Sequence, residues 1–131
     1  MACVAAVITN NQGEILLEDH VKTNAWTLPG GKLEEDEIPE KGLVRELFEE
    51  LGILAYRYKL LKTATKRNIE YPYGSGNYSD FTVSIYDVFE YKGEVINKEP
   101  EKHKNLRFFS LEEIEKLDRK SAVLKTYLDI E

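Results

Sequence analysis

Residues 39–52 constrain this chain more than any other stretch. Pro39 suits the start of a helix, because the first helical position has no use for the N–H that proline lacks. Gly52 suits the end, where a left-handed residue closes the last turn. At about 100° per residue, Leu47, Leu51, Val44 and Phe48 fall on one side of that helix. Glu46, Glu49 and Glu50 gather on roughly the opposite side, with Arg45 at their edge and Gly42 one turn earlier, so nothing bulky stands beneath them. One side asks to be buried. The other carries three carboxylates within a turn, and like charges at i,i+3 and i,i+4 destabilise a helix unless something compensates.

The whole chain has a net charge of −6. Segment 32–50 accounts for −5 of it, with eight carboxylates against Lys32, Lys41 and Arg45. A solvated helix face is the usual meaning of a charge run, but such a face normally mixes both signs, and Arg45 is the only cation of this turn. Mg²⁺ or Mn²⁺ would compensate, since these hard cations prefer carboxylate oxygen and water. Magnesium held by a few carboxylates also keeps coordination places for substrate phosphates. The preceding Gly30-Gly31 loop lets backbone approach a ligand closely. The acidic balance argues against nonspecific binding to nucleic acid or to an anionic membrane, both of which need a basic footprint.

The 131 residues fit one domain, 1–131, and a hydrophobic content of 42% suffices for a packed core. The apolar run 2–8 is too short to span a bilayer and has no basic residues before it, so it reads as a buried strand rather than an anchor or leader. A turn at 10–13 leads to a returning strand at 14–18, then a polar loop at 19–24 and the breaker Pro29-Gly30-Gly31. Strands are expected at 53–66 and around Phe81, Val83 and Ile85, separated by a Gly/Pro/Tyr-rich loop at 68–79. Lys92-Gly93 should turn the chain into a short strand at 94–96, with a last strand at 106–109. Ser110-Leu111-Glu112-Glu113 is a capping box. Residues 121–130 place Val123, Leu124, Tyr127 and Leu128 on one helical stripe. Strands before and after a central helix give an α/β or α+β class with a mixed sheet. Cys3, the only cysteine, permits no internal disulfide and fits a reducing, cytoplasmic setting, buried in its strand. His20 and His103 have no Cys or His partner at ligand spacing and read as exposed loop residues.

Gly31, five residues, Glu37, seven residues, then Arg45-Glu46-Leu47-Phe48-Glu49-Glu50-Leu51-Gly52-Ile53 resembles the Nudix box, G-x5-E-x7-R-E-U-x-E-E-x-G-U. Every fixed position is filled, and a chance match is on the order of one in a million at ordinary residue frequencies. Trp26-Thr27-Leu28-Pro29-Gly30-Gly31-Lys32-Leu33-Glu34 is similar to the family's usual entry into the box. Glu99-Pro100-Glu101-Lys102 resembles a segment of its nucleoside triphosphate diphosphatase branch. The resemblance implies an α/β/α sandwich on a mixed sheet, with the box as a loop–helix–loop. It implies hydrolysis of a phosphoanhydride in a nucleotide, most directly a nucleoside triphosphate cut to monophosphate and pyrophosphate. Dinucleoside polyphosphates and ADP-ribose are alternatives, and a module that binds nucleotides without cleaving them is another.

Carried over residue by residue, the family pattern has Glu46, Glu49 and Glu50 holding Mg²⁺ (or Mn²⁺), joined by the Gly30 carbonyl and by a downstream acid, Glu101 before Glu99. Glu46 or Glu49 would be the base, and Arg45 with Glu37 would orient the carboxylates. Trp26, Lys32, Tyr71 and Tyr78 are the expected substrate contacts; Tyr71, Tyr73 and Tyr78 either stack a base or simply cover the sheet. The expected partner is a small nucleotide, with no nucleic acid and no membrane, and the family allows a homodimer. The chain departs from many relatives at Asp36 and Gly42, where they carry Gly and Ala, and at Glu18-Asp19-His20, where the strand often ends in a basic residue.

Overall fold

The computed structural model describes residues 1–129. Strand β1 (Ala2–Val7) lies inside a four-stranded mixed sheet ordered β4-β1-β6-β5, with β4 at Gly30–Lys32, β5 at Leu54–Glu70 and β6 at Tyr78–Lys92. It runs parallel to β6 and antiparallel to β4. Strand β2 (Ile15–His20) is the centre of a second, antiparallel sheet between β3 (Ala25–Thr27) and β7 (His103–Phe109). A bridge between Thr9 and Ile15 joins the two sheets after a turn in which the Asn10 side chain accepts from Gln12 N and Glu14 N.

The apolar run at 2–8 is explained by burial on both faces. Val4, Ala6 and Ile8 point into one core, with Leu43, Leu47 and Leu51 of helix α1 (Pro39–Leu51). Ala5 and Val7 point into the other, with Ile114 of α2 (Leu111–Glu115) and Leu124 of α3 (Ala122–Leu128). A strand covered by helices on both sides cannot alternate with polar residues. The β layers thus lie between α1 and the α2–α3 pair, the expected α/β/α arrangement.

Helix α1 starts at Pro39 and stops at Gly52, which adopts φ 72 and donates its N–H to Phe48 O. Ser110 and Glu113 complete the capping box of α2. Ser121 caps α3 through Leu124 N.

Several expectations are corrected. Phe48 is exposed rather than in the core, and the Lys98 ammonium sits 5.0 Å from its ring centroid. Residues 94–96 form no strand; Ile96 N donates to Leu51 O and Val95 packs on the first core. Asp19 and His20 belong to β2 rather than to a loop. Strand β5 runs on to Glu70, with Asn68 at φ 57 inside a register shift, so the loop shrinks to 71–77. Gly42 does not sit beneath open space: Leu33 and the Glu37 carboxylate occupy the position a Cβ would take. Ile130, the end of the expected last helix, lies outside the described residues.

Asp36, where many relatives have glycine, takes φ 62 immediately before Glu37. Aspartate tolerates that region better than most residues, and glycine better still. Asp36→Gly should therefore raise unfolding stability by up to about 1 kcal/mol, and Asp36→Val should lower it by about 1–2 kcal/mol. Urea denaturation of the three proteins decides.

Candidate active site

The loop before α1 and the first turns of the helix converge on Arg45. Its guanidinium donates from Nε and Nη2 to the two oxygens of Glu37 at 2.8 Å each. Nη1 donates to Glu46 at 3.1 Å and to Glu49 at 2.9 Å, and Nη2 reaches Lys32 O at 3.3 Å. One cation thus ties loop, strand β4 and helix together. The bonds from Arg45, followed by the Glu34 N–H, hold the Glu37 carboxyl down at about 2. Arg45, bonded first by Glu37, is fixed in its charged form.

Two glycines allow the carboxylates to come close to the strand. Gly30 takes φ 150, and a Cβ there would collide with the backbone of Val4 and Ala5. A Cβ on Gly31 would lie 2.7 Å from the Glu46 carboxyl carbon. Gly30 N donates to Glu50 Oε1 at 3.0 Å. Glu50 is buried, and burial pushes its carboxyl up against the opposing pull of the His103 ring and the Gly30 N–H. Glu46 is pushed up to about 7, by burial first and then by the Glu50 charge, with Arg45 opposing. Glu49 stands at the exposed rim, 47% accessible.

Glu46, Glu50, Gly30, Gly31 and Lys32 line a cleft of about 490 Å³, together with Glu99, Glu101, Lys102, Tyr71 and Tyr73. The cleft brings together much of the expected site and separates out the rest. Of the two downstream acids, it is Glu99 that comes near Glu50: Glu50, Glu99 and His103 each offer one ligand atom within 4.8 Å of the others. Glu101 lines the cleft outside that group. Tyr78 is 60% exposed and absent from the cleft lining. Trp26 is absent from it as well: its ring packs edge-on against Phe109 at 4.8 Å, and its backbone bonds Arg119 O and Ser121 N. Trp26 therefore anchors the start of α3.

The histidines are the largest correction. His103 is buried at the start of β7 and His20 is half-buried on β2, with ring centroids 5.2 Å apart. His103 Nε2 lies 3.2 Å from Glu50 Oε2 and 3.5 Å from Glu18 Oε2. Glu18, fully buried, is held well above the ordinary carboxyl range by burial and by its neighbours Glu50 and Glu46. Burial, then His103 and Lys102, depress His20 to about 4. The alternation of Glu18 and His20 on one strand face is visible in the sequence; their partner 83 residues beyond His20 is not. Cys3 is only partly buried and also lines the cleft.

With Glu46 raised from 4.5 to about 7, the folded state holds a proton that the unfolded state has released between those values. The associated stability is present below pH 4.5 and lost as pH rises through 7. In EDTA, Glu46→Gln should match the parent protein at pH 4.5 and exceed it at pH 8 by on the order of 3 kcal/mol. Denaturant midpoints at the two pH values measure this, and equal midpoints at pH 8 would refute the burial of a charged Glu46.

Similarity to known proteins bears on the same residues. A NUDIX domain family model matches residues 1–129. The chain is 40% identical over 73 residues to an 8-oxo-dGTP diphosphatase of Proteus vulgaris, covering 56% of this chain and 58% of that one. It is 36% identical over 61 residues to an RNA pyrophosphohydrolase of Psychromonas ingrahamii, covering 47% and 34%. The matched segments span from about a third to somewhat over half the length of these curated relatives. The crystal structure of a MutT NUDIX hydrolase from Burkholderia pseudomallei superposes with a TM-score of 0.79 at 27% identity, covering 98% of this chain and 95% of that one. With a family model spanning nearly every residue and a shared fold over almost all of both chains, the chain belongs to the NUDIX family.

Proposed function

We propose that the chain is a divalent-cation-dependent pyrophosphohydrolase acting on a small nucleotide, most directly a nucleoside triphosphate cut to monophosphate and pyrophosphate. The observation that carries this reading is that Glu46 and Glu50 line one cleft together with Tyr71, Tyr73 and Phe81. Its volume lies in the range of small-molecule sites. The relatives named as an 8-oxo-dGTP diphosphatase and an RNA pyrophosphohydrolase support a nucleotide phosphoanhydride as the bond attacked.

The donor set fits Mg²⁺ or Mn²⁺. Glu46 and Glu50 are raised because their negative charge is buried without enough cation nearby, and all-oxygen donors suit hard ions. Glu46, Glu49 and Glu50 would hold the ion, with Gly30 and Glu99 or Glu101 completing the set. When bound, the ion would activate water, polarise a phosphoryl oxygen and offset developing charge.

The chain's own groups divide the remaining tasks. Arg45 and Glu37 orient Glu46 and Glu49 through the bonds described above. The Gly30 N–H fixes one oxygen of Glu50. Glu46 or Glu49, both held in place by Arg45, would accept the proton of the attacking water. Lys32, Lys22 and Lys102 line the cleft as candidate phosphate contacts. Tyr71 on the cleft wall keeps a dinucleoside polyphosphate as the second reading, because an aromatic face there can stack a base. A cytoplasmic location and a homodimer, as the family allows, belong to the same proposal.

Phosphate and pyrophosphate release from nucleoside triphosphates, dinucleoside polyphosphates, ADP-ribose and 5′-triphosphorylated RNA, with Mg²⁺ and with EDTA, tests the reading. Mg²⁺-dependent pyrophosphate release is the expected result. Glu50→Gln should keep the fold and lose at least about a hundredfold in kcat, the scale of losing one preorganised electrostatic group. Inactivity on every substrate would leave a nucleotide-binding module, and near-normal turnover by Glu50→Gln would overturn the assignment of that residue.

A further inference from the structure

Strand pairing places His20 of β2 directly opposite His103 of β7. Glu18, two residues before His20, projects from the same face of β2. A register shift separates the Glu18 and His20 pairings on β7. One ligand-type atom from each of Glu18, His20 and His103 lies within 4.8 Å of the others. Glu18 and His103 are 0% and 1% exposed. Among the described residues, neither oxygen of Glu18 nor either ring nitrogen of His103 has an aligned hydrogen-bond partner. Buried polar atoms are nearly always satisfied; here His103 Nε2 has only carboxylates near it, Glu50 at 3.2 Å and Glu18 at 3.5 Å, and its Nδ1 has no aligned partner, so the spot calls for an occupant.

We propose that Glu18, His20 and His103 form a site for one borderline transition-metal ion, of the Zn²⁺ or Co²⁺ type, that takes no ligand from Glu46 or Glu49 and borders the box helix at Glu50. Two imidazoles and a carboxylate form a donor set that such ions favour and Mg²⁺ does not. His103 Nε2 and Glu18 Oε2 are 3.5 Å apart; two donors each about 2.1 Å from a tetrahedral ion stand about 3.4 Å from one another. The charges close as well. Glu18 and the neighbouring Glu50 carboxylate, 3.2 Å from His103 Nε2, together neutralise a divalent ion, as a buried site requires.

His20 Nδ1 accepts a 3.2 Å bond from Thr23 N. Ligation through either nitrogen of that ring gives this bond up, a loss of one neutral hydrogen bond against three metal–ligand bonds. Glu18 and His20 line the cleft, which supplies an entry path. The ion cross-links β2 to β7 behind Glu50, so its effect is to stiffen the deep wall of the cleft. The site needs no turnover and, among the box carboxylates, draws only on the charge of Glu50, so it can be tested apart from the proposed hydrolysis.

The test is Co²⁺ titration of the full, EDTA-stripped chain in excess Mg²⁺, followed by optical absorption and proton NMR. The expected result is one equivalent of Co²⁺ with the visible bands of a low-coordinate, nitrogen-containing site and contact-shifted N–H resonances from two imidazoles. Zn²⁺ should displace the ion and Mg²⁺ should not. His20→Ala should weaken Co²⁺ binding by more than about a hundredfold, beyond the effect usual for groups that only support a ligand. Glu49→Gln should leave the spectrum unchanged. An all-oxygen spectrum, fewer than two imidazole resonances, or Co²⁺ lost in Glu49→Gln but kept in His20→Ala would overturn the site. The spectra of the unmutated chain decide the matter even where a variant fails to fold. Loss of the imidazole signals beside intact Mg²⁺-dependent hydrolysis would remove this site alone, and the converse result would remove only the hydrolase reading.

Discussion

A guanidinium with five donors in a rigid fork can serve several carboxylates at once, whereas an ammonium acts as a point charge. Arg45 uses that fork on Glu37, Glu46, Glu49 and the Lys32 carbonyl. This is how one turn of α1 carries three carboxylates. The compensation is uneven. Glu37 is held far down, while Glu50 lies outside the guanidinium's reach and Glu46 stays raised despite its bond to it. Arg45 thus neutralises the rim and leaves the deep end of the cleft short of positive charge. Stability of the helix and a demand for a further cation come from the same side chain.

That imbalance depends on close approach between helix and sheet. Leu43, Leu47 and Leu51 seat α1 on the face of β1 that carries Val4, Ala6 and Ile8. Glu46 and Glu50 then fall against Gly31 and Gly30, where a side chain on the strand would occupy their space. The double-sided burial of β1 fixes how far the helix can move, so the position of the carboxylates is a property of both cores. The electrostatic strain at Glu46 and Glu50 is sustained by apolar packing some distance away.

What could be read from the sequence is what local spacing encodes. The helix from Pro39 to Gly52, the capping box at Ser110 and the unbroken apolar strand at the start each follow from neighbours within a few residues, and each is present. The Arg45–Glu37 contact was legible only through resemblance to the box, since the loop that carries Glu37 follows no periodic rule. Features set by register were not legible. Trp26 looked like part of the ligand-facing entry and instead packs on Phe109, because β3 and β7 flank the same strand. Phe48 lay on the apolar arc by angle, but it is left exposed, with the Lys98 ammonium over its ring. His20 and His103 looked isolated because their pairing spans most of the chain.

The acidic surplus also changes meaning with depth. Counted along the sequence it is a −5 stretch in 32–50, which suggests a single carboxylate cluster. In three dimensions Glu18 and Glu99, from outside that stretch, join Glu50 around His103. Carboxylates therefore surround the deep wall from the helix on one side and from β2 and the segment before β7 on the other. Between them lies an imidazole, a donor that hard cations ignore and borderline ones seek. Under the two proposals, a cleft with carboxylates alone at Glu46 and Glu49 and imidazoles added beside Glu18 and Glu50 would offer different places to hard and borderline cations. Under the proposed function a bound cation would offset that charge beside Lys22, Lys32 and Lys102 of the same cleft, so that a surplus which net charge alone counts as repulsion would help hold an anionic ligand.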